Sequence, residues 1–176
     1  MKTLHLLRHA KSGWDDPDMP DHDRPLAPRG ARAATLIGRH LLARGFHPDL
    51  ILCSTAKRAG DTLDLVLSQL GGGVEELPFK ISRERGLYLC GERALLHRLR
   101  QLPDDVTSVL LVAHNPDLQY LTRELAGTGD EADLRSVAGK FPTGALAELT
   151  FDIHGWSDIG PRTGTLLRLV LPKNLT

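Results

Sequence analysis

The chain has 176 residues, of which 41% are hydrophobic and 25% charged, with 22 Lys and Arg against 22 Asp and Glu. This is ordinary globular usage, so disordered, collagenous and disulfide-scaffold classes are excluded, and the length predicts a single domain over residues 1–176. Balanced charge provides no bulk field for nucleic acid or an anionic membrane, and aromatics at 5% are a poor supply for base stacking; neither partner is expected, and any anion must be held by locally placed cations.

Thr3–Leu7 is the first expected strand. Its apolar stretch is too short, and charge follows too soon, for the core of a signal peptide. No window approaches the roughly 18 apolar residues of a membrane span, so a cytoplasmic location is expected. Asp15–Arg29 contains Pro17, Pro20, Pro25 and Pro28 and reads as a loop. From Pro28 to Arg44, Leu36, Ile37, Leu41 and Leu42 recur at helical spacing, and Gly45 supplies the stop. Leu50–Cys53 is a second buried strand. Ala56–Leu70 is a helix with Leu63, Val66, Leu67 and Leu70 on one face, ended by the Gly71–Gly73 loop. Phe79–Ser82 is a short strand and Glu92–Leu102 a helix. Val109–Ala113 is the clearest strand, β-rich and uninterrupted. Pro116 suits the first position of the next helix, with Asn115 as its cap, and that helix runs to about Ala126. Gly127–Asp133 reads as a polar loop, and Ala145–Phe151 and Thr165–Leu171 as an antiparallel pair of strands. The alternation predicts an α/β fold, a three-layer α/β/α sandwich with a mainly parallel sheet and an antiparallel edge. Cys53 and Cys90, in unlike contexts, read as reduced packing residues.

In open α/β sheets, ligands bind beyond the carboxyl ends of the strands. Arg8 and His9 follow the first strand. Ser54 and Thr55 follow the second, with Arg58 one turn into the next helix, and His114 and Asn115 follow the central one. Taken singly, these are a loop histidine, a solvated arginine and a good helix start. Together they gather two guanidiniums and two imidazoles at one edge of the sheet. Arginine's planar fork suits phosphate, and the N–H groups at the start of the second helix add to the attraction for an anion. Two arginines would repel a divalent cation, and no cysteine stands near His9 or His114 in sequence, so neither a metal nor another cofactor is expected. A phosphoryl group is the expected occupant.

Leu6–Ser12 (LLRHAKS), Asp23–Gly30 (DRPLAPRG), Cys53–Thr62 (CSTAKRAGDT) and Val109–Pro116 (VLLVAHNP) together resemble the histidine phosphatase superfamily. More narrowly, they resemble its short SixA-type phosphohistidine phosphatase branch, with the phosphoglycerate mutase-like fold. The resemblance runs over about residues 1–126 and is only general beyond Gly127. It implies that His9 is the nucleophile and becomes transiently phosphorylated, with Arg8, Arg58 and His114 holding the non-bridging oxygens. Lys11, Ser12 and Asn115 become candidate substrate contacts, Trp14 a residue of the rim, and Thr62 a support for its helix. Adjacent guanidiniums would keep His9 neutral and nucleophilic. His114 would serve best as a charged donor, so the two histidines should titrate differently. The remaining histidines, His5, His22, His40, His47, His97 and His154, read as structural or exposed.

Phosphomonoesterase relatives carry a glutamate as proton donor where this chain aligns Gly86. Glu84, two residues away, and Asp15, Asp16 and Asp23 of the first loop are the substitutes. That departure favours a phosphohistidine substrate, whose imidazole leaving group is protonated before attack. The connections are also too short for the cap that covers the pocket in mutases and sugar phosphatases. The implied activity is metal-independent hydrolysis of phosphohistidine on a protein such as a histidine phosphotransfer domain, with inorganic phosphate or sulfate as simple ligands of the pocket. The alternatives are a phosphatase of small esters or nucleotides with the same core, and a catalytically silent phosphate-binding module.

Overall fold

The computed structural model describes residues 1–71 and 79–176. The middle of the sheet is made of strands whose residues are apolar on both faces. In β1 (Lys2–Arg8), Leu4 and Leu6 face one way and Leu7 the other. In β4 (Ser108–Ala113), Val109 and Leu111 oppose Leu110 and Val112. In β2 (Leu50–Ser54), Leu52 opposes Ile51 and Cys53. Strands buried on both faces need helices on both sides. Helices α1 (Pro28–Ala43) and α2 (Lys57–Leu70) cover one face through Ile37, Leu41, Leu63, Val66 and Leu67. Helices α3 (Glu92–Arg100) and α4 (Asp117–Leu125), with α5 (Glu131–Gly139), cover the other through Leu95, Leu99, Leu118, Leu121 and Val137. The result is the three-layer sandwich expected.

With β3 (Lys80–Glu84), β5 (Ala126–Gly129), β6 (Leu146–Phe151) and β7 (Gly164–Val170), the sheet order is β3-β2-β4-β1-β6-β7-β5. The pairs β1–β4, β2–β4, β2–β3 and β5–β7 are parallel, while β6 runs against both β1 and β7. Two elements differ from the sequence reading. Gly127–Asp133 is not simply a loop: Ala126–Gly129 adds the short strand β5 outside β7, and α5 follows, capped by the Asp130 carboxylate on the N–H groups of Ala132 and Asp133. Glycines at Gly127 and Gly129 hid the strand. The carbonyl of Arg162 lies 2.2 Å from where a Cβ on Gly127 would stand, so a glycine is required for that approach. Gly71 closes α2 with φ of 83°; the rest of the Gly71–Gly73 stretch lies outside the described residues.

Register places the site. Arg8 pairs with Ala113 across the parallel β1–β4 ladder, so the two strands end level and His9 and His114 emerge side by side. The His9 N–H continues the ladder to the Ala113 carbonyl at 3.1 Å. Ser54 ends β2 next to them. The loop after His9 is pinned from two sides: the Ala10 N–H donates to Thr62 Oγ1 of α2 at 3.0 Å, and the Lys11 carbonyl accepts from the Ala27 N–H at 2.9 Å. A Cβ on Gly30, in the first turn of α1, would stand 2.0 Å from that Lys11 carbonyl oxygen. Backbone cannot yield as a flexible side chain can. Gly30→Ala is therefore expected to lower stability by about 1–3 kcal/mol through overpacking, read as a lower urea midpoint; an unchanged midpoint would show that α1 does not press on this loop.

Candidate active site

Arg8, His9, Arg58 and His114 line one open cavity of about 240 Å³ at the carboxyl edge of the sheet. The imidazole centroids of His9 and His114 are 5.2 Å apart, and Arg58 Nη2 lies 3.5 Å from His114 Nδ1. Arg58 occupies a position of α2 that belongs to its buried stripe, with Thr62 and Val66 below it. The helix therefore delivers the guanidinium to the sheet edge rather than to solvent. Thr62 does support its helix, donating to the Arg58 carbonyl at 2.7 Å, and it also fixes the residue after His9.

Hydrogen bonds settle the protons on both rings. His9 Nδ1 lies 2.8 Å from the Ala10 carbonyl. A carbonyl only accepts, so Nδ1 carries the proton and Nε2 keeps its lone pair. Burial, and then the fields of Arg58, Arg8 and Arg24, hold His9 at about 4, against the upward pull of the Ala10 carbonyl. His9 is neutral near pH 7. His114 faces a guanidinium, which only donates, so its Nδ1 accepts and Nε2 donates to Ser54 Oγ at 2.8 Å. Burial, His9 and Arg58 hold His114 at about 3. The two histidines thus titrate alike in this state, contrary to the expectation from sequence, because both are desolvated among the same cations. Arg8 is lowered too, by burial and then by Arg58. Its Nη1 donates to the Phe141 carbonyl at 2.9 Å, and its buried Nε has no partner among the described residues.

Asp21 and Arg24, which the sequence reading did not single out, complete the site. The Asp21 backbone carbonyl and carboxylate accept from Arg58 Nη1 and Nη2 at 2.7 and 3.0 Å. The same carboxylate accepts from Arg24 at 2.8 Å and from the Tyr88 hydroxyl. Desolvation pushes Asp21 upward, but hydrogen bonds from Tyr88, Arg58 and Arg24 outweigh it and hold the carboxyl at about 2. Arg24 is buried, lines the cavity, donates to Ser12 Oγ and lies 3.1 Å over the Trp14 ring. The Pro-rich loop that carries both residues is folded rather than irregular. It forms a short 3₁₀ turn at Asp21–Asp23 and a bridge from Ser12 to Leu26. Charged residues closely spaced with proline were the only signal, and they look the same in a solvated loop.

Lys11, Ser12 and Asn115 line the cavity, as do Trp14 and Leu89 at its rim. Asn115 turns its amide to the Phe141 carbonyl, 3.1 Å away, and shares that acceptor with Arg8. The four proton-donor candidates do not line the cavity. Glu84 is held ionised on β3 by Arg98, at 2.8 and 2.9 Å, and by Ser82. Asp23 sits 3.6 Å from His22 Nδ1. Asp15 and Asp16 are exposed in the loop beyond the rim. Among the described residues, no carboxylate lines the cavity. Gly86, aligned with the esterase glutamate, is exposed with open space around it. His22 is not remote after all: its Nε2 lies 2.9 Å from Thr55 Oγ1, and its ring packs edge-on against Tyr88. His5 and His9 have the spacing of a helical metal pair, but along a strand four residues span roughly 13 Å. No group of three or more His, Cys, Asp or Glu side chains converges among the described residues. Both cysteines are free, and burial pushes the Cys53 thiol up to about 12.

This fold, carrying an imidazole–guanidinium pocket at its carboxyl edge, defines a phosphatase. The chain belongs to the histidine phosphatase superfamily; the model of that superfamily's branch 1 matches residues 4–82. It is similar to an uncharacterised protein of Mycobacterium tuberculosis (strain H37Rv), 36% identical over 169 residues, 95% of this chain and 100% of the relative. Among solved structures, one assigned as the phosphohistidine phosphatase SixA of Agrobacterium tumefaciens superposes with a TM-score of 0.78 at 28% identity, covering 97% of this chain and 98% of that one. A SixA structure complexed with tungstate shares the fold at a TM-score of 0.77 and 24% identity, covering 99% of each chain. No helix among the described residues is long and apolar enough to cross a membrane.

Asp21→Asn keeps the shape of the side chain while removing the charge that orients Arg58 and Arg24. Charge-assisted hydrogen bonds are the stronger kind, so kcat/KM on an aryl phosphate is expected to fall roughly tenfold or more, and steady-state kinetics with an unchanged circular dichroism spectrum would check it.

Proposed function

We propose that the chain hydrolyses phosphohistidine on a protein through a phosphohistidine intermediate on His9. The observation that carries this reading is His9 itself: a ring with Nδ1 tied to a carbonyl, Nε2 free, and three guanidiniums within reach of its field. In the first step, the Nε2 lone pair forms a bond to phosphorus while the substrate N–P bond breaks. The electron pair returns to the leaving imidazole, which departs neutral because its other nitrogen already carries a proton. Arg8, Arg58 and His114 stabilise the charge on the three non-bridging oxygens. An incoming dianion raises the proton affinity of His114, so that its Nδ1 becomes a donor to the phosphoryl group. In the second step, water forms the new P–O bond, the His9 N–P bond breaks, and the proton lost by water passes to the phosphate released.

Two features favour a protein N–P substrate over a small ester. Among the described residues, the cavity wall offers no carboxyl to protonate an alkoxide. Its mouth is open, and its rim carries Trp14 and Leu89, 67% and 50% exposed, which are large apolar side chains left to solvent. Leu89 also holds φ at 47°, an uncommon conformation for a leucine and one that concentrates at functional sites. A folded partner that presents its phosphorylated side chain, such as a histidine phosphotransfer domain, would cover that rim. A small sugar phosphate would leave it bare.

Turnover of a phosphohistidine peptide is expected to exceed that of sugar and nucleotide phosphates, and His9→Ala to lose activity by several orders of magnitude. Preference for the esters would replace this reading with a small-molecule phosphatase, and absence of turnover on aryl phosphate and phosphohistidine alike would leave only a binding module. Because protonation of His9 abolishes the nucleophile and its pKa lies at about 4, kcat/KM on an aryl phosphate should hold from pH 7 to pH 5 and decline only below that. An acid limb centred near the ordinary histidine value of about 6.5 would show that the ring is not held neutral.

A further inference from the structure

The charge that cancels over the whole chain is unevenly spread around the catalytic mouth. Helix α1 contains Arg29, Arg32, Arg39 and His40 and no acidic residue. Its first turns form one wall of a groove of about 420 Å³ that adjoins the catalytic cavity, with Lys11 and Thr143 lining both. Five cations border this groove: Lys11, Arg29, Arg32, Lys140 and Lys173. All five are exposed, and among the described residues no acidic side chain lines it. None of the five forms a salt bridge among the described residues. Such a concentration of like charge raises the energy of the folded chain unless something relieves it. Between the cations the floor is apolar, made by Leu36, Pro142 and Leu171.

We infer that this groove docks an acidic, aliphatic-bearing segment of the protein substrate while the phosphorylated side chain occupies the cavity. The inference rests on the function proposed above and specifies the partner: a surface with Asp or Glu around a Leu- or Ile-type side chain, next to the phosphorylated histidine. Size argues for a macromolecule. From Arg29 to Leu36 the wall that α1 gives the groove runs roughly 10 Å at the helical rise, and apart from Lys11 and Thr143 its lining lies outside the cavity in which a small phosphorylated metabolite would be seated. The apolar floor argues for a protein rather than nucleic acid, which would present phosphates and sugars to it. The rigid seam between α1 and the His9 loop fixes the distance between groove and nucleophile. Long-range attraction of this kind acts chiefly on encounter and weakens with salt.

The test uses two synthetic phosphohistidine peptides of equal length, one flanked on both sides by Asp, Glu and Leu and the other by Ser and Gly, with an aryl phosphate as the reference. For the wild-type chain, kcat/KM on the acidic peptide is expected to exceed that on the neutral one by roughly tenfold or more, and the advantage to shrink in salt. The double variant R32E/K173E, altered away from the catalytic cavity, should erase the preference and leave aryl phosphate turnover unchanged, which also reports that it is folded. Equal turnover of the two peptides by wild type, or a preference that survives in the variant, overturns the docking proposal while leaving the phosphatase reading intact. Loss of all wild-type turnover, aryl phosphate included, would instead count against the phosphatase. Inhibition of peptide turnover by a single-stranded oligonucleotide at concentrations below the acidic peptide's KM would assign the groove to nucleic acid and overturn the proposal.

Discussion

The site depends on holding like charges close together against their mutual repulsion. Arg8 and Arg58 lie near enough that the first is lowered by the second, and His9 and His114 are held neutral by burial and by the same guanidiniums. A flexible chain would let these groups drift apart into water. Here each is tied by a neutral or anionic acceptor on the side away from the cavity. The Phe141 carbonyl takes Arg8, the Ala10 carbonyl His9, the Ser54 hydroxyl His114, and Asp21 takes Arg58. Three of the four acceptors come from distant parts of the chain and only the Ala10 carbonyl is local to its histidine, so the folding of the whole sheet, more than any local motif, offsets the repulsion.

That arrangement also sorts the carboxylates. Asp21 stands close enough to compensate Arg58 but, with its carboxyl held at about 2, it has no proton to give near neutral pH. Glu84, at the end of β3, is committed to Arg98 and does not line the cavity. The pocket is thus strong in stabilising negative charge on phosphoryl oxygens and weak in donating protons to a leaving group. Chemistry whose leaving group arrives protonated, or departs readily as an anion, matches those two properties.

Much of this was legible in the sequence because the groups that carry chemistry sit directly after strands. The runs before Arg8-His9 and His114-Asn115 are continuously apolar, so both ends could be placed to within a residue, and Arg58 was found from its place in the first turn of α2. Asp21 and Arg24 were not legible. They act through tertiary contacts made by a loop whose proline and aspartate content is that of any solvated turn. Asp15, Asp16 and Asp23 were as plausible on composition, yet all three are exposed: the first two lie outside the 3₁₀ turn, and within it Asp21 is the carboxylate that bonds Arg58. Strand β5 was hidden by its glycines, whose value lies in what approaches them. Trp156 carried no signal within its hairpin loop, yet it is fully buried and donates to the Val106 carbonyl at 2.7 Å.

The level ending of β1 and β4 has a consequence for how such a chain can vary in length. Side chains alternate across a strand, so one added or deleted residue upstream in either strand would turn its histidine toward the opposite helical layer while leaving composition and hydrophobicity intact. Changes of length are tolerable in the exposed connections, whereas the spans Lys2–Arg8 and Ser108–Ala113 must keep their frame to deliver the two rings side by side.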